Sequence, residues 1–202
     1  MVFRAIKFVA EAHQGQYRKG TNIPYISHLM NVMKILCENG CDKEIIAAGI
    51  LHDVVEDTSV TIEQVERLFG KRVAKIVLGA SEPDHMRKGK DEKTSWWLRK
   101  QHTIEFITKE ATLEQLLVSC ADKLDNAEAI RQDYVLNGEK LWERFNAPKS
   151  DQQWYYSTLS AAFELRSKEF GEPLSHLSQR LSQTVNEIFC KKKSEAPPLL
   201  LC

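Results

Sequence analysis

KEIIAAGILHDVVEDT, residues 43–58, joins two stretches of opposite character. Ile45, Ile46, Ala47, Ala48, Ile50 and Leu51 make an apolar run that reads as a helix meant for a core. His52, Asp53, Glu56 and Asp57 follow with no turn signal between. Carboxylates buried without partners are strongly disfavoured, and a bound cation reverses that sign. Two His and two Asp suit a divalent metal that keeps water positions open. Residues 52 and 53 are about 100° apart on a helix, so both side chains lean toward one point. Glu56 and Asp57 lie one turn on, at i+4 from each, close enough to act on a water without being ligands.

The other ligands must come from elsewhere. His28, in PYISHLMNV (24–32), sits at the edge of a stripe of Ile26, Leu29 and Met30. Asp122, in LLVSCADKLDNAEAI (116–130), follows a strongly apolar turn and needs a partner. Asp122, Asp125 and Asn126 share a helix face at i, i+3 and i+4.

Around these segments the apolar spacing is helical nearly everywhere. Val2, Ala5, Ile6 and Val9 form a first stripe, and the polar HQGQYRKGTNI (13–23) reads as a loop. A second helix follows Pro24, and a third covers 42–55. Thr61 and Gln64 form a capping-box pair, with Gly70 as a stop. Residues 82–93 read as a charged surface loop. Further helices are expected over 94–109, 112–130, 137–145, 150–169 and 173–190. The expectation is an all-α fold, one domain over 1–190 with a disordered tail at 191–202.

Composition bounds the function. The 202 residues are 43% hydrophobic, enough for a core, and 28 basic side chains balance 28 acidic ones. Zero net charge argues against a general nucleic-acid binder. No apolar run reaches the ~20 residues that cross a bilayer, so no membrane role is expected and the chain reads as cytoplasmic. Cys37, Cys41, Cys120, Cys190 and Cys202 have no framework spacing and read as reduced thiols. Oligomeric state is left open.

AHQGQYRKGTNIPYISHLMNV (12–32), AAGILHDVVEDT (47–58) and ADKLDN (121–126) together resemble the hydrolase domain of the RelA/SpoT proteins and small alarmone hydrolases, within the HD-domain metal-dependent phosphohydrolases. The resemblance implies an HD-domain helical bundle and a Mn²⁺ site with His28, His52, Asp53 and Asp122 as ligands. It implies Glu56 and Asp57 as catalytic acids, Arg18 and Lys19 beside the nucleotide, and Asn126 on ribose or base. The implied reaction is hydrolysis of (p)ppGpp to GDP or GTP with release of 3′-pyrophosphate. With no synthetase segment in the sequence, degradation alone is expected.

Two positions depart from the family pattern. Asp125 replaces a usual His or aromatic, and Glu128 a common Arg. Both are expected to make the pocket wall more acidic. They motivate an alternative nucleotide, such as an adenine alarmone or a 2′-phosphorylated dinucleotide. A non-catalytic nucleotide sensor is the third reading. His13, His85, His102 and His176 read as non-ligands. Of Trp96 and Trp97, one is expected in the core and the other as a stacking surface at the pocket. Trp154, Tyr155 and Tyr156 read as core and interface rather than a binding box, and Lys191–Lys193 as a solvated helix end.

Overall fold

The computed structural model describes residues 1–81 and 92–190, the side chains of 92–94 excepted. Ten α-helices run through these residues: α1 Val2–Ala12, α2 Ile26–Glu38, α3 Lys43–Leu51, α4 Val54–Asp57, α5 Ile62–Phe69, α6 Lys71–Ala80, α7 Glu92–Lys109, α8 Leu113–Asn137, α9 Lys149–Phe170 and α10 Leu174–Phe189. A 3₁₀ segment, Gly138–Arg144, stands where an ordinary helix was expected over 137–145. The all-α expectation holds. The tail 191–202, with Lys191–Lys193, lies outside the described residues, as do His85 and the expected loop up to residue 91.

α8 is the axis of the molecule. Leu116, Leu117, Val118, Cys120, Ala121, Leu124, Ala127 and Ile130 are buried on several of its faces. A helix apolar on most sides belongs inside a bundle. It packs against α2, α3, α6, α9 and α10. Buried side chains from α1 through α10 form one contiguous core. Its start is fixed by Thr112 and Gln115, which form a capping box. The expected box of Thr61 and Gln64 opens α5.

α3 sits in the core against α1, α2, α6 and α8. The α2–α3 contact depends on a glycine. A Cβ on Gly49 would lie 2.2 Å from Leu36 Cδ1 and 3.3 Å from Val32 Cγ1. Gly49→Ala is therefore expected to destabilise the protein by about 1–3 kcal/mol through overpacking. A urea titration checks this, and a midpoint equal to that of the parent would show that the two helices can part without loss.

The third helix does not run on to residue 55. It ends at Leu51, the chain turns through His52 and Asp53, and α4 begins at Val54. His52 Nδ1 lies 2.8 Å from the Gly49 carbonyl, three residues back. The Asp53 carbonyl then accepts the backbone N–H groups of Glu56 and Asp57 at 3.1 and 2.9 Å. The first bond gives a carbonyl near the helix end a side-chain partner, and the others start a new turn.

Arg166 of α9 fixes the end of α7. It is buried, and its guanidinium donates to the Ile107 and Ala111 carbonyls, both at 2.9 Å. Those carbonyls have no partner further along the helix, so a buried cation there satisfies them and suits the negative end of the helix dipole.

Candidate metal centre and cleft

α2, the α3–α4 turn and α8 bring four side chains to one point. His28 Nε2 lies 3.6 Å from Asp53 Oδ2 and 3.2 Å from Asp122 Oδ1. His52 Nε2 lies 3.0 and 3.6 Å from the same two oxygens. The ligand atoms of His28, His52 and Asp53 all fall within 4.8 Å of one another. Donors about 2.1 Å from a shared divalent ion sit roughly 3.0 to 3.4 Å apart, at right-angled to tetrahedral spacing. His52 Nε2 is wholly buried and makes no directed hydrogen bond, although a carboxylate oxygen lies 3.0 Å away. An imidazole nitrogen in that state is placed as a ligand is, and the four residues fit a divalent metal.

Outer partners orient three of these groups. Tyr25 Oη donates to Asp53 Oδ2. Lys123 Nζ reaches Asp122 Oδ2 and Asn126 Nδ2 donates to Asp122 Oδ1, each at 2.5 Å. Asp125 Oδ2 lies 2.6 Å from His28 Nδ1. Tyr25, Lys123 and this use of Asp125 are absent from the sequence reading. Only the i+3 placement of Asp125 from Asp122 pointed toward the site.

Charges inside the cluster are strongly coupled. Burial opposes the charge on His28, but Asp122, Asp125 and Asp53 outweigh it and hold its pKa at about 9, above the ordinary 6.5. Burial likewise opposes the charge on His52, and Asp53 and Asp122 hold it well above the ordinary value. Burial would raise Asp53, but His52 and His28 keep it well below the usual carboxylate range. Asp122 is also low, with Lys123 and the two imidazoles overriding burial. Burial and the charge on Asp53 push the Tyr25 phenol up, so it stays a donor.

These directions favour the protonated form of the imidazoles and the charged form of the carboxylates. Raised histidines contribute stability that is complete below about pH 6.5 and is lost as pH rises through about 9. Lowered carboxylates contribute stability that is present above their ordinary range near 3.8 and is lost on acidification through their depressed values. Metal binding has the opposite slope, because an imidazole must lose its proton to become a ligand. Between pH 7 and 9, affinity for Mn²⁺ is expected to tighten about tenfold per pH unit for each proton displaced. Titration calorimetry in buffers of different ionisation enthalpy reads that proton count directly. A count of zero at pH 7 would show that the imidazoles are already neutral.

Asp53 and Asp122 of the cluster line a cleft of about 1500 Å³. Glu56 and Asp57 of α4 line the same space, as do Lys19 and Asn126. Lys123, Arg99 and Lys100 add positive charge, and Trp96, Phe106, Phe145, Tyr155 and Tyr156 add ring surface. Lys100 Nζ lies 5.0 Å from the centre of the Tyr155 ring. Lys19 Nζ donates to Asn146 Oδ1 at 2.7 Å. Arg18 is not among the lining residues. It donates to Asn126 Oδ1 at 3.0 Å and lies 3.5 Å from Asp125.

The structure corrects several sequence-based expectations. Asp125 and Glu128 are not on the cleft wall. Asp125 is buried against His28, Asn31 and Arg18, while Glu128 accepts from Arg180 of α10 at 3.2 Å. Of the two tryptophans expected to divide between core and pocket, Trp96 is both buried and on the cleft wall, and Trp97 packs on Trp154 with ring centres 4.4 Å apart. Tyr155 and Tyr156 are core residues that also face the cleft. His13 is buried, stacked on Tyr25 and bonded to Gln16, and is not grouped with the ligands. His102 lines the cleft but is not grouped with the ligands, and His176 pairs with Asn39. Cys37, Cys41, Cys120 and Cys190 are free thiols.

The HD domain family matches residues 5–151. The chain belongs to that family. It is 38% identical over 137 residues to the guanosine-3′,5′-bis(diphosphate) 3′-pyrophosphohydrolase of Aquifex aeolicus, an alignment covering 68% of this chain and 18% of that protein. It is 35% identical over 129 residues to the protein of the same description, MESH1, from Danio rerio, covering 62% of this chain and 67% of the relative. The chain thus spans less than a fifth of the bacterial relatives it matches, at 18% and 17% of their lengths. A solved metazoan ortholog of SpoT, described as hydrolysing ppGpp and acting in starvation responses, superposes with a TM-score of 0.67 at 27% identity over 93% of both chains. A crystal structure of lmo0812 from Listeria monocytogenes gives the same TM-score at 32% identity, covering 85% of this chain and 99% of that one. This HD-family chain has, among its described residues, no helix long and apolar enough to cross a membrane.

Proposed function

We propose that residues 1–190 form one HD-type phosphohydrolase domain. Its substrate is a (p)ppGpp-like nucleotide, which it cleaves with water to GDP or GTP and pyrophosphate. The observation that carries this is the meeting of two imidazole nitrogens and two carboxylate oxygens, from three distant segments, beside a cleft that also holds two further carboxylates and several cations. The names of the Aquifex and Danio relatives support the choice of substrate.

In this reading His28, His52, Asp53 and Asp122 hold a divalent ion, with Mn²⁺ as the proposed metal. An ion bound there would supply a water of lowered pKa and a positive charge beside a phosphoryl oxygen. Glu56 and Asp57 orient the attacking water and take its proton. Lys19, with Lys123, Arg99 and Lys100, offsets the charge of the phosphates. Asn126 contacts the ribose or base, and Arg18 holds its amide oxygen, so that the amide nitrogen faces Asp122. Phe145, Trp96 or the paired tyrosines give the base a ring to stack on.

Mn²⁺-loaded protein is to be offered ppGpp, pppGpp, adenine alarmones and 2′-phosphorylated dinucleotides, with phosphate and pyrophosphate release followed. The reading stands if ppGpp is turned over far faster than the others, to GDP and pyrophosphate. It falls if another nucleotide is preferred, or if nucleotides bind without turnover, as a sensor requires.

A further inference from the structure

Asp125 is a buried carboxylate in contact with a proposed ligand. Its Oδ2 lies 2.6 Å from His28 Nδ1, on the opposite side of the ring from the Nε2 that faces Asp53 and Asp122. Its Oδ1 accepts from Asn31 Nδ2 at 2.8 Å. Arg18 Nη1 stands 3.5 Å from Oδ2. Both carboxylate oxygens are therefore engaged, and the group has little freedom to turn. Asn31 lies one turn after His28 on α2, and Asp125 one turn after Asp122 on α8. The two helices that supply ligands are thus tied together a second time, behind the ligands.

We infer that Asp125 is a positioning residue for His28, holding its proton on Nδ1 and its Nε2 lone pair toward the metal, with Asn31 as the clamp that orients Asp125. The inference rests on the metal reading of the site given above. Neutral imidazole has two tautomers, and only one leaves Nε2 able to ligate. An acceptor at Nδ1 selects that tautomer, fixes the ring plane and makes the ligating nitrogen more basic. A carboxylate does this better than a neutral acceptor, because a charge-assisted bond is stronger. His52 is served differently. Its Nδ1 meets the Gly49 carbonyl, a neutral acceptor fixed by the helix itself. The two imidazoles therefore differ in donor strength, and His28 depends on a side chain that mutation can remove.

The test measures Mn²⁺ affinity by competition with a chromophoric chelator, with no nucleotide present. Asp125→Ala is expected to weaken binding about 10- to 100-fold, the range for loss of an outer partner of a metal-bound histidine. Asn31→Ala, at an exposed position, is expected to give a smaller loss of about two- to tenfold. Asp125→Asn should fall between the parent and Asp125→Ala, since its amide oxygen can still accept from His28. Long-range proton–nitrogen NMR of the Zn²⁺-loaded protein adds a readout that a merely structural role would not move. The His28 Nδ1–H resonance is expected far downfield in the parent and shifted upfield in Asp125→Ala.

Unchanged affinity and an unchanged Nδ1–H signal in folded Asp125→Ala would overturn the inference. If that variant does not fold, parental affinity in both Asn31→Ala and Asp125→Asn does so. A parent that binds no divalent ion removes this inference together with the metal reading. Weakened metal binding in the variants alongside a failed nucleotide screen would leave the inference standing and sink only the proposed substrate.

Discussion

Asp122→Ala is expected to leave the purified protein without its divalent ion and without turnover. Asp122 Oδ1 lies against both imidazoles, at 3.2 and 3.6 Å. Losing an outer partner of a metal ligand weakens binding about 10- to 100-fold, and losing a ligand itself must exceed that. The same change strands Lys123, whose Nζ lies 2.5 Å from Asp122 Oδ2. A cation left beside the site without its counter-charge repels an incoming metal, so the effect on binding grows further. Metal content by mass spectrometry, on protein shown to be folded by circular dichroism, gives the result. Retention of one equivalent of metal would remove Asp122 from the ligand set.

Glu56→Ala should behave in the opposite way, keeping the metal and losing the rate. Glu56 lies on α4, a short turn beyond His52 and Asp53, and lines the cleft without being grouped with His28, His52 and Asp53. A positioned acid or base contributes about 10²- to 10⁴-fold, so kcat is expected to fall by that factor. Metal stoichiometry and Mn²⁺ affinity should stay near the parent values. The paired outcome is what separates ligands from proton-handling groups. Equal loss of metal from Asp122→Ala and Glu56→Ala would erase the division of labour between Asp122 of α8 and Glu56 of α4.

These expectations also show which features a sequence can reveal. The helical class was legible because Val2, Ala5, Ile6 and Val9, or Ile26, Leu29, Met30 and Met33, repeat at helical spacing whatever they pack against. The capping box at Thr61 was legible because both its partners lie within one turn. The break after Leu51 was not, since no Gly or Pro marks it, and it goes with a His52 ring turned back to the Gly49 carbonyl. Asp125 and Glu128 were misplaced for a related reason. Helical spacing put Asp125 on a face with Asp122, but whether that face meets a cleft or another helix depends on α2 and α10. His28 and Arg180, which settle the matter, lie far off in sequence. The four-residue cluster was approached from the chemistry of unpaired acids. The distances that bring its members together, and the cations and rings of α7, required the folded chain.

The arrangement of those four side chains has a consequence outside catalysis. They come from α2, from the turn after α3 and from α8, so an ion among them closes two long loops of chain much as a covalent cross-link would. Anything that binds only the folded form raises its resistance to melting. With an ion held there, durability in a chelating medium is expected to depend on the same atoms as the proposed chemistry, and starving the protein of metal is expected to shorten its lifetime as well as to silence it.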